Sequence, residues 1–226
     1  MEEKQDTILV RRELACVVQD IRKTCLLLAD MGCRGWDQPP GKLEALRQEL
    51  AGCQGCKLSH SRIFTVFGEG NPRAQVVFVG PGLGAARDAG ARHFAGQAGG
   101  LLAKIIQAMG LDRESVYITC LVKCPVPPDR GPEPDEIAAC LPYFNREVLA
   151  VSPQYICALG SVAAQALLNT DEPIEALRGK PASFYGIPLM PTFHPEQLLA
   201  DPSKKREVWS DVQVIMRALG TLKSRG

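Results

Sequence analysis

The chain has almost no bias of charge: 26 basic and 25 acidic residues leave a formal net charge of +1 over 226 residues. A uniform basic field that gathers polyanions is therefore excluded, and any nucleic-acid contact must come from local clusters. No run of about 18 apolar residues is present, which argues against a transmembrane helix. The opening Met1-Glu2-Glu3-Lys4-Gln5-Asp6 is acidic and lacks a signal-peptide pattern. A cytoplasmic chain with no membrane partner is expected, where thiols stay reduced and nine cysteines argue against a disulfide framework. Internal repeats and low-complexity tracts are missing as well.

With 46% hydrophobic residues, the chain can bury one substantial core. Leu9, Leu14, Val17, Val18, Ile21, Cys25 and Leu28 recur at helical spacing and predict an amphipathic helix over 7–30. The glycine- and proline-rich stretch from Gly32 to Gly41 reads as a linker, giving an extension over 1–41 and a main domain over 42–226. In that domain, helices are predicted over 42–50, 101–109, 134–150, 161–168 and 205–219. Apolar strands are predicted at 76–79, 116–119, 155–159 and 187–190. Such alternation indicates an α/β fold whose central sheet is four-stranded, mainly parallel and covered on both faces. Ligands then bind at the carboxyl ends of the strands. A monomer is expected.

Four cysteines stand in segments of chemical interest. Cys53 and Cys56 form a Cys-x-x-Cys, Cys124 lies in Lys123-Cys124-Pro125, and Cys140 follows Pro134-Asp135-Glu136-Ile137-Ala138-Ala139. A close pair and two distant singles suit either a [4Fe–4S] cluster or a structural zinc. The other cysteines (Cys16, Cys25, Cys33, Cys120 and Cys157) are expected to behave mostly as small buried apolar residues. Gly80, Gly82 and Gly84 after the first strand resemble a phosphate-cradling loop, but no Gly-Lys-Ser/Thr ending follows, so no nucleotide cofactor is expected. Such glycines allow close backbone approach to a bound group.

The remaining loops carry a resemblance. Val66-Phe67-Gly68-Glu69-Gly70-Asn71-Pro72, Phe94-Ala95-Gly96-Gln97-Ala98-Gly99 and Tyr117-Ile118-Thr119 leading to Lys123-Cys124 resemble family 4 uracil-DNA glycosylases. So do Leu159-Gly160, Leu177-Arg178-Gly179-Lys180 and Thr192-Phe193-His194-Pro195-Glu196-Gln197-Leu198-Leu199, and the similarity spans about 43–215. The resemblance implies a three-layer α/β/α sandwich with a [4Fe–4S] cluster on Cys53, Cys56, Cys124 and Cys140. It implies DNA as partner, and an enzyme that flips out a nucleotide and hydrolyses its N-glycosidic bond. Phe94 matches the stacking aromatic, and His194 the donor to a base carbonyl. Gln197, Leu198 and Leu199 lie on the loop that probes the duplex, and Lys123, Arg130, Arg178 and Lys180 are candidate phosphate contacts.

Two departures from the family pattern follow. Pro81, in Gly80-Pro81-Gly82, stands where the family keeps a carboxylate associated with water activation, and Arg87 where a second glutamate is usual; Asp88 survives. Cys120 replaces the asparagine that reads uracil, and a thiol offers only one weak donor and a weak acceptor. Pro81, Gly82 and Cys120 thus line a base pocket that differs from the family's, and Asp88, His93 and His194 are left to share the acid–base work. Three readings stay open: a glycosylase for a modified or non-uracil base, a weak uracil-DNA glycosylase, and a non-catalytic iron–sulfur DNA-binding protein.

Overall fold

A computed structural model describes residues 41–83, 93–94, 96–127 and 130–221. The helix expected over 7–30 lies outside them. Strand β2 (Val76–Gly80) and strand β4 (Tyr155–Leu159) are buried at every residue. A strand buried on both faces must be covered on both, which is the α/β/α arrangement. Parallel pairing runs from β3 (Tyr117–Cys120) to β2, to β4 and to β6 (Ile187–Thr192), with Phe78 beside Ile118 and Cys157, and Cys157 beside Met190.

Two short antiparallel strands extend this parallel core. β1 (Glu69–Gly70) pairs with β3, and β5 (Ala182–Phe184) with β6, giving the order β1-β3-β2-β4-β6-β5. The four-stranded expectation is thus corrected to six. The extra strands, of two and three residues, are too short to show a period of their own.

The described helices are α1 (Lys42–Ala51), α2 (Gly96–Ala108), α3 (Pro134–Val151), α4 (Ser161–Leu168), α5 (Ile174–Leu177), α6 (Pro195–Ala200) and α7 (Lys205–Ala218). Ala98, Leu102 and Ile106, four apart, form the buried stripe of α2. On α3, Pro134 occupies the first turn, where its missing N–H is no loss, and the Glu133 N–H donates to the Glu136 carboxylate at 2.8 Å. Phe144 and Val148 of α3 join the core, each worth about 1.5–3 kcal/mol of burial. α7 presents Val208, Val212, Ile215 and Met216 to the core, with Asp211 buried among them.

Chain order sets the site. From β2 the chain moves to β3 on one side, then returns past β2 to β4 and β6 on the other. The crevice between β2 and β4 is the switch point where such sheets receive ligands. Gly80 ends β2 there, Gly160 follows β4, and His194 follows β6.

Candidate active site

Four side chains or backbones meet above the strand ends. A Cβ placed on Gly80 would lie 2.7 Å from the tip of the Phe94 ring and 3.3 Å from the Cys120 sulfur. Glycine at 80 therefore lets the aromatic ring and the thiol share one floor. The Phe94 and His194 rings pack at 5.2 Å between centroids, tilted by 33°.

Phe94 holds a left-handed backbone, φ 56°, a conformation that costs about 1–3 kcal/mol for a non-glycine residue. Its carbonyl backs onto α2, where a Cβ at Gly99 would sit 1.5 Å from the Phe94 oxygen. Gly99→Ala is expected to push Phe94 out of position. The clash with backbone should lower the denaturation midpoint, and an unaltered midpoint would refute the role of this contact.

His194 caps α6. Its Nδ1 accepts from the Glu196 N–H at 3.3 Å, and its own N–H donates to the Gln197 side-chain oxygen at 2.9 Å. An Nδ1 that accepts leaves the ring proton on Nε2. Burial holds His194 below the usual imidazole range, against the pull of the Glu196 carboxylate. The result is a neutral imidazole with one N–H left to give. Gln197 thus helps to hold the His194 backbone through its side-chain oxygen.

His93 was expected to share the acid–base work, and the structure corrects this. It is 1% exposed, and both ring nitrogens are engaged. Nε2 lies 3.0 Å from the Phe67 carbonyl oxygen and Nδ1 3.2 Å from the Cys120 sulfur. Its carbonyl accepts from Arg113 at 2.8 Å. Burial lowers the His93 pKa, the Lys123 ammonium adding to the effect. Burial likewise pushes the Cys120 thiol up to about 12, against the Lys123 charge. The pair is imidazole and thiol, not an ion pair.

Two histidines held neutral make stability depend on pH. Below about pH 6.5 the unfolded chain binds protons at these sites that the folded protein refuses, so stability falls as pH drops. Thermal midpoints should be flat above about pH 7 and decline from there to about pH 5.5, and His93→Phe should flatten the decline. A midpoint that rises on acidification would contradict the burial of both rings.

Lys123, expected at a phosphate, is instead fully buried. Its Nζ pairs with the Glu147 carboxylate, which is also fully buried, and donates to Thr119 Oγ1 and the Cys120 carbonyl at 2.7 Å each. Glu147 further accepts from the Gly68 N–H at 2.8 Å and the Tyr117 hydroxyl at 2.9 Å. Burial opposes the Glu147 charge, but Lys123 and these donors outweigh it and hold the carboxyl below its ordinary range. Every donor and acceptor of the pair is used, so nothing remains for DNA.

Arg178 is corrected in the same way. It bonds Asp211 through Nε at 3.1 Å and pairs with Glu207 at 3.0 Å, while its guanidinium lies 5.6 Å from the Phe193 ring centre. Arg178 thus braces the turn before His194. Arg130 is engaged with Glu136 at 2.6 Å and Glu133 at 3.2 Å at the start of α3. Leu198 is 1% exposed and sits in the core, whereas Leu199 is 41% exposed and faces outward. Lys180 is exposed and forms no ion pair among the described residues. The Pro81 carbonyl accepts from the Val122 N–H at 3.3 Å, and Gly82 lies against Val126. Asp88 lies outside the described residues.

Three of the four cysteines meet in one small apolar cluster. Buried Cys124 and Cys140 share a small cluster with Leu58, Val122 and Val126, and Cys56 packs against it. Donors aim at three of the sulfurs: the Gly55 N–H at Cys53 (3.4 Å), Arg62 at Cys124 (3.4 Å) and the Lys123 N–H at Cys140 (3.5 Å). Such donors are what ligand thiolates accept in iron–sulfur proteins. No three metal-ligating side chains among the described residues are close enough to hold a single ion.

The fold is that of an α/β protein whose strand-end site holds an aromatic ring and a neutral histidine donor side by side. Residues 67–213 match the Uracil DNA glycosylase superfamily, and the chain belongs to it. It is 37% identical to the Type-4 uracil-DNA glycosylase of Saccharolobus solfataricus, over 79% of this chain and 87% of that protein. Identity to the Type-4 enzyme of Thermotoga maritima is 36%, over 76% and 91%. Against the Archaeoglobus fulgidus enzyme it is 33%, over 79% and 94%.

Proposed function

We propose that the protein is a DNA N-glycosylase that extrudes a modified or non-uracil base and releases it by hydrolysis. The observation that carries this is the neutral His194 N–H beside the Phe94 ring, over a floor that presents the Cys120 sulfur. Similarity to the three Type-4 enzymes supports DNA as substrate and base excision as the process.

Phe94 stacks on the extruded base, compensating part of the stacking lost from the duplex. The C1′–N bond breaks, its electron pair leaves with the base, and the His194 Nε2–H stabilises the developing negative charge. Water bonds to C1′ and gives its proton to Asp88, the carboxylate assigned to that step. Leu199 fills the gap in the duplex, and Lys180 contacts a phosphate.

Cys53, Cys56, Cys124 and Cys140 would hold a [4Fe–4S] cluster, which supplies a rigid cross-link between the segments bearing Cys124 and Cys140. Residues 1–41 form an extension outside the glycosylase domain, and the protein acts as a cytoplasmic monomer. Cys124→Ser should lower bound iron and sulfide together and bleach visible thiolate-to-iron absorbance. Stoichiometric zinc in a colourless wild-type protein would overturn the cluster.

The functional test is base release from oligonucleotides containing uracil, hypoxanthine, 5-hydroxymethylcytosine or its glucosylated form, read as alkali-labile abasic sites. Release of a modified base in preference to uracil is expected. A preference for uracil would return the protein to ordinary uracil excision, and silence with DNA still bound would leave a non-catalytic binder.

A further inference from the structure

Cys120 and His93 form a pair whose hydrogen can be placed. The Phe67 carbonyl oxygen can only accept, so the His93 Nε2 at 3.0 Å carries the ring proton. The ring is neutral, so Nδ1, 3.2 Å from the Cys120 sulfur, has only a lone pair to offer. The single thiol hydrogen therefore points at His93, away from the floor shared with Gly80 and Phe94. The sulfur meets that floor as an acceptor.

Geometry also says which part of a base arrives there. Cys120 is 2% exposed at the end of β3, at the bottom of the site. The sugar stays with the strand at the mouth, so a base stacked on Phe94 turns its far edge to the floor. That edge carries C4 of a pyrimidine, with an amino group in cytosine-type bases and a carbonyl in uracil-type bases. A carbonyl would set oxygen lone pairs against sulfur lone pairs; an amino group would donate.

We infer that His93 Nδ1 accepts the Cys120 S–H hydrogen bond and thereby sets the pocket to favour bases with an exocyclic amine, over those with a carbonyl, on the edge opposite the glycosidic bond. This rests on the glycosylase reading above and names its substrate class. Cys120 is the residue that meets the base, and His93 positions it. Ordinary paired cytosine is protected by its cost of extrusion, which is lower for a base that is already unpaired.

The test uses single-stranded oligonucleotides with 5-hydroxymethylcytosine or 5-hydroxymethyluracil, which differ in the amine or carbonyl at C4 and in the hydrogen that only the latter carries on N3. Single-turnover release is measured, together with affinity for 2′-fluoroarabino versions that resist cleavage. Wild-type protein should favour the amine by about tenfold or more in both readouts, the scale of one unmatched buried acceptor. Cys120→Ser, whose hydroxyl can donate to His93 in the same way, should keep the preference. His93→Phe frees the thiol proton and should bring the ratio towards one. Should that variant not fold, Cys120→Asn, whose amide can donate, should shift the ratio towards the carbonyl.

Equal handling of the two bases by wild-type protein, or an unchanged ratio in folded His93→Phe, would overturn the inference and leave the glycosylase reading standing. Amine-selective binding without release of either base would do the reverse. Neither release nor selective binding would remove both.

Discussion

Lys123→Met should destabilise the protein by about 3–5 kcal/mol, because it leaves Glu147 charged and without its cation inside the core. The carboxylate would keep the Gly68 N–H, the Tyr117 hydroxyl and the Thr119 hydroxyl as donors, none of which carries a charge. Lys123→Met combined with Glu147→Leu should recover much of that loss, since removing both partners also removes the desolvation penalty. The measurement is a denaturant midpoint for each single variant and the double. Affinity for undamaged DNA, corrected for folded fraction, should be unchanged in all three. Were Lys123→Met to reduce the salt dependence of DNA binding with no change in midpoint, the phosphate role expected from sequence would be right after all.

His194→Ala should reduce single-turnover base release by about a hundredfold to a thousandfold, the scale found when one preorganised donor is removed from a developing anion. DNA affinity should change little, because the role proposed for the ring is to give its N–H to the leaving base rather than to a phosphate. His194→Gln should restore part of the rate, since an amide N–H can reach towards the same position. The substitution also removes the acceptor for the Glu196 N–H, so a small loss of stability is expected from a weakened turn. An unchanged release rate in folded His194→Ala would remove His194 from the chemistry and leave the stacked rings as packing.

Much of the fold was legible because its signals are local. The apolar runs at Val76 and Tyr155 announce strands buried on both faces, and helix α4 begins and ends where its pattern predicts. The edge strands escaped because two or three residues cannot display alternation. In the site, Phe94 and His194 were readable from their loops, and the structure packs them together.

Misreadings fell on long charged or paired side chains, whose partners are remote in sequence. Lys123 meets Glu147, 24 residues on, and Arg178 meets Asp211, 33 residues on; neither neighbour announces the meeting beforehand. Leu198 and Leu199 differ only in which way a short helix is turned. The His93–Cys120 bond joins a loop to a strand end 27 residues later, and no spacing rule anticipates it.

The span from Cys120 to Cys124 carries a further consequence. Its first residue faces the base floor, its fourth is anchored to Glu147, and its last belongs to the cysteine group. Three fixed points on so short a segment forbid insertion or deletion between them. Natural descendants can alter what the floor recognises only by exchanging one side chain for another, never by lengthening the loop. Directed evolution of this protein should therefore return point changes at 120 and 93, and insertions only elsewhere.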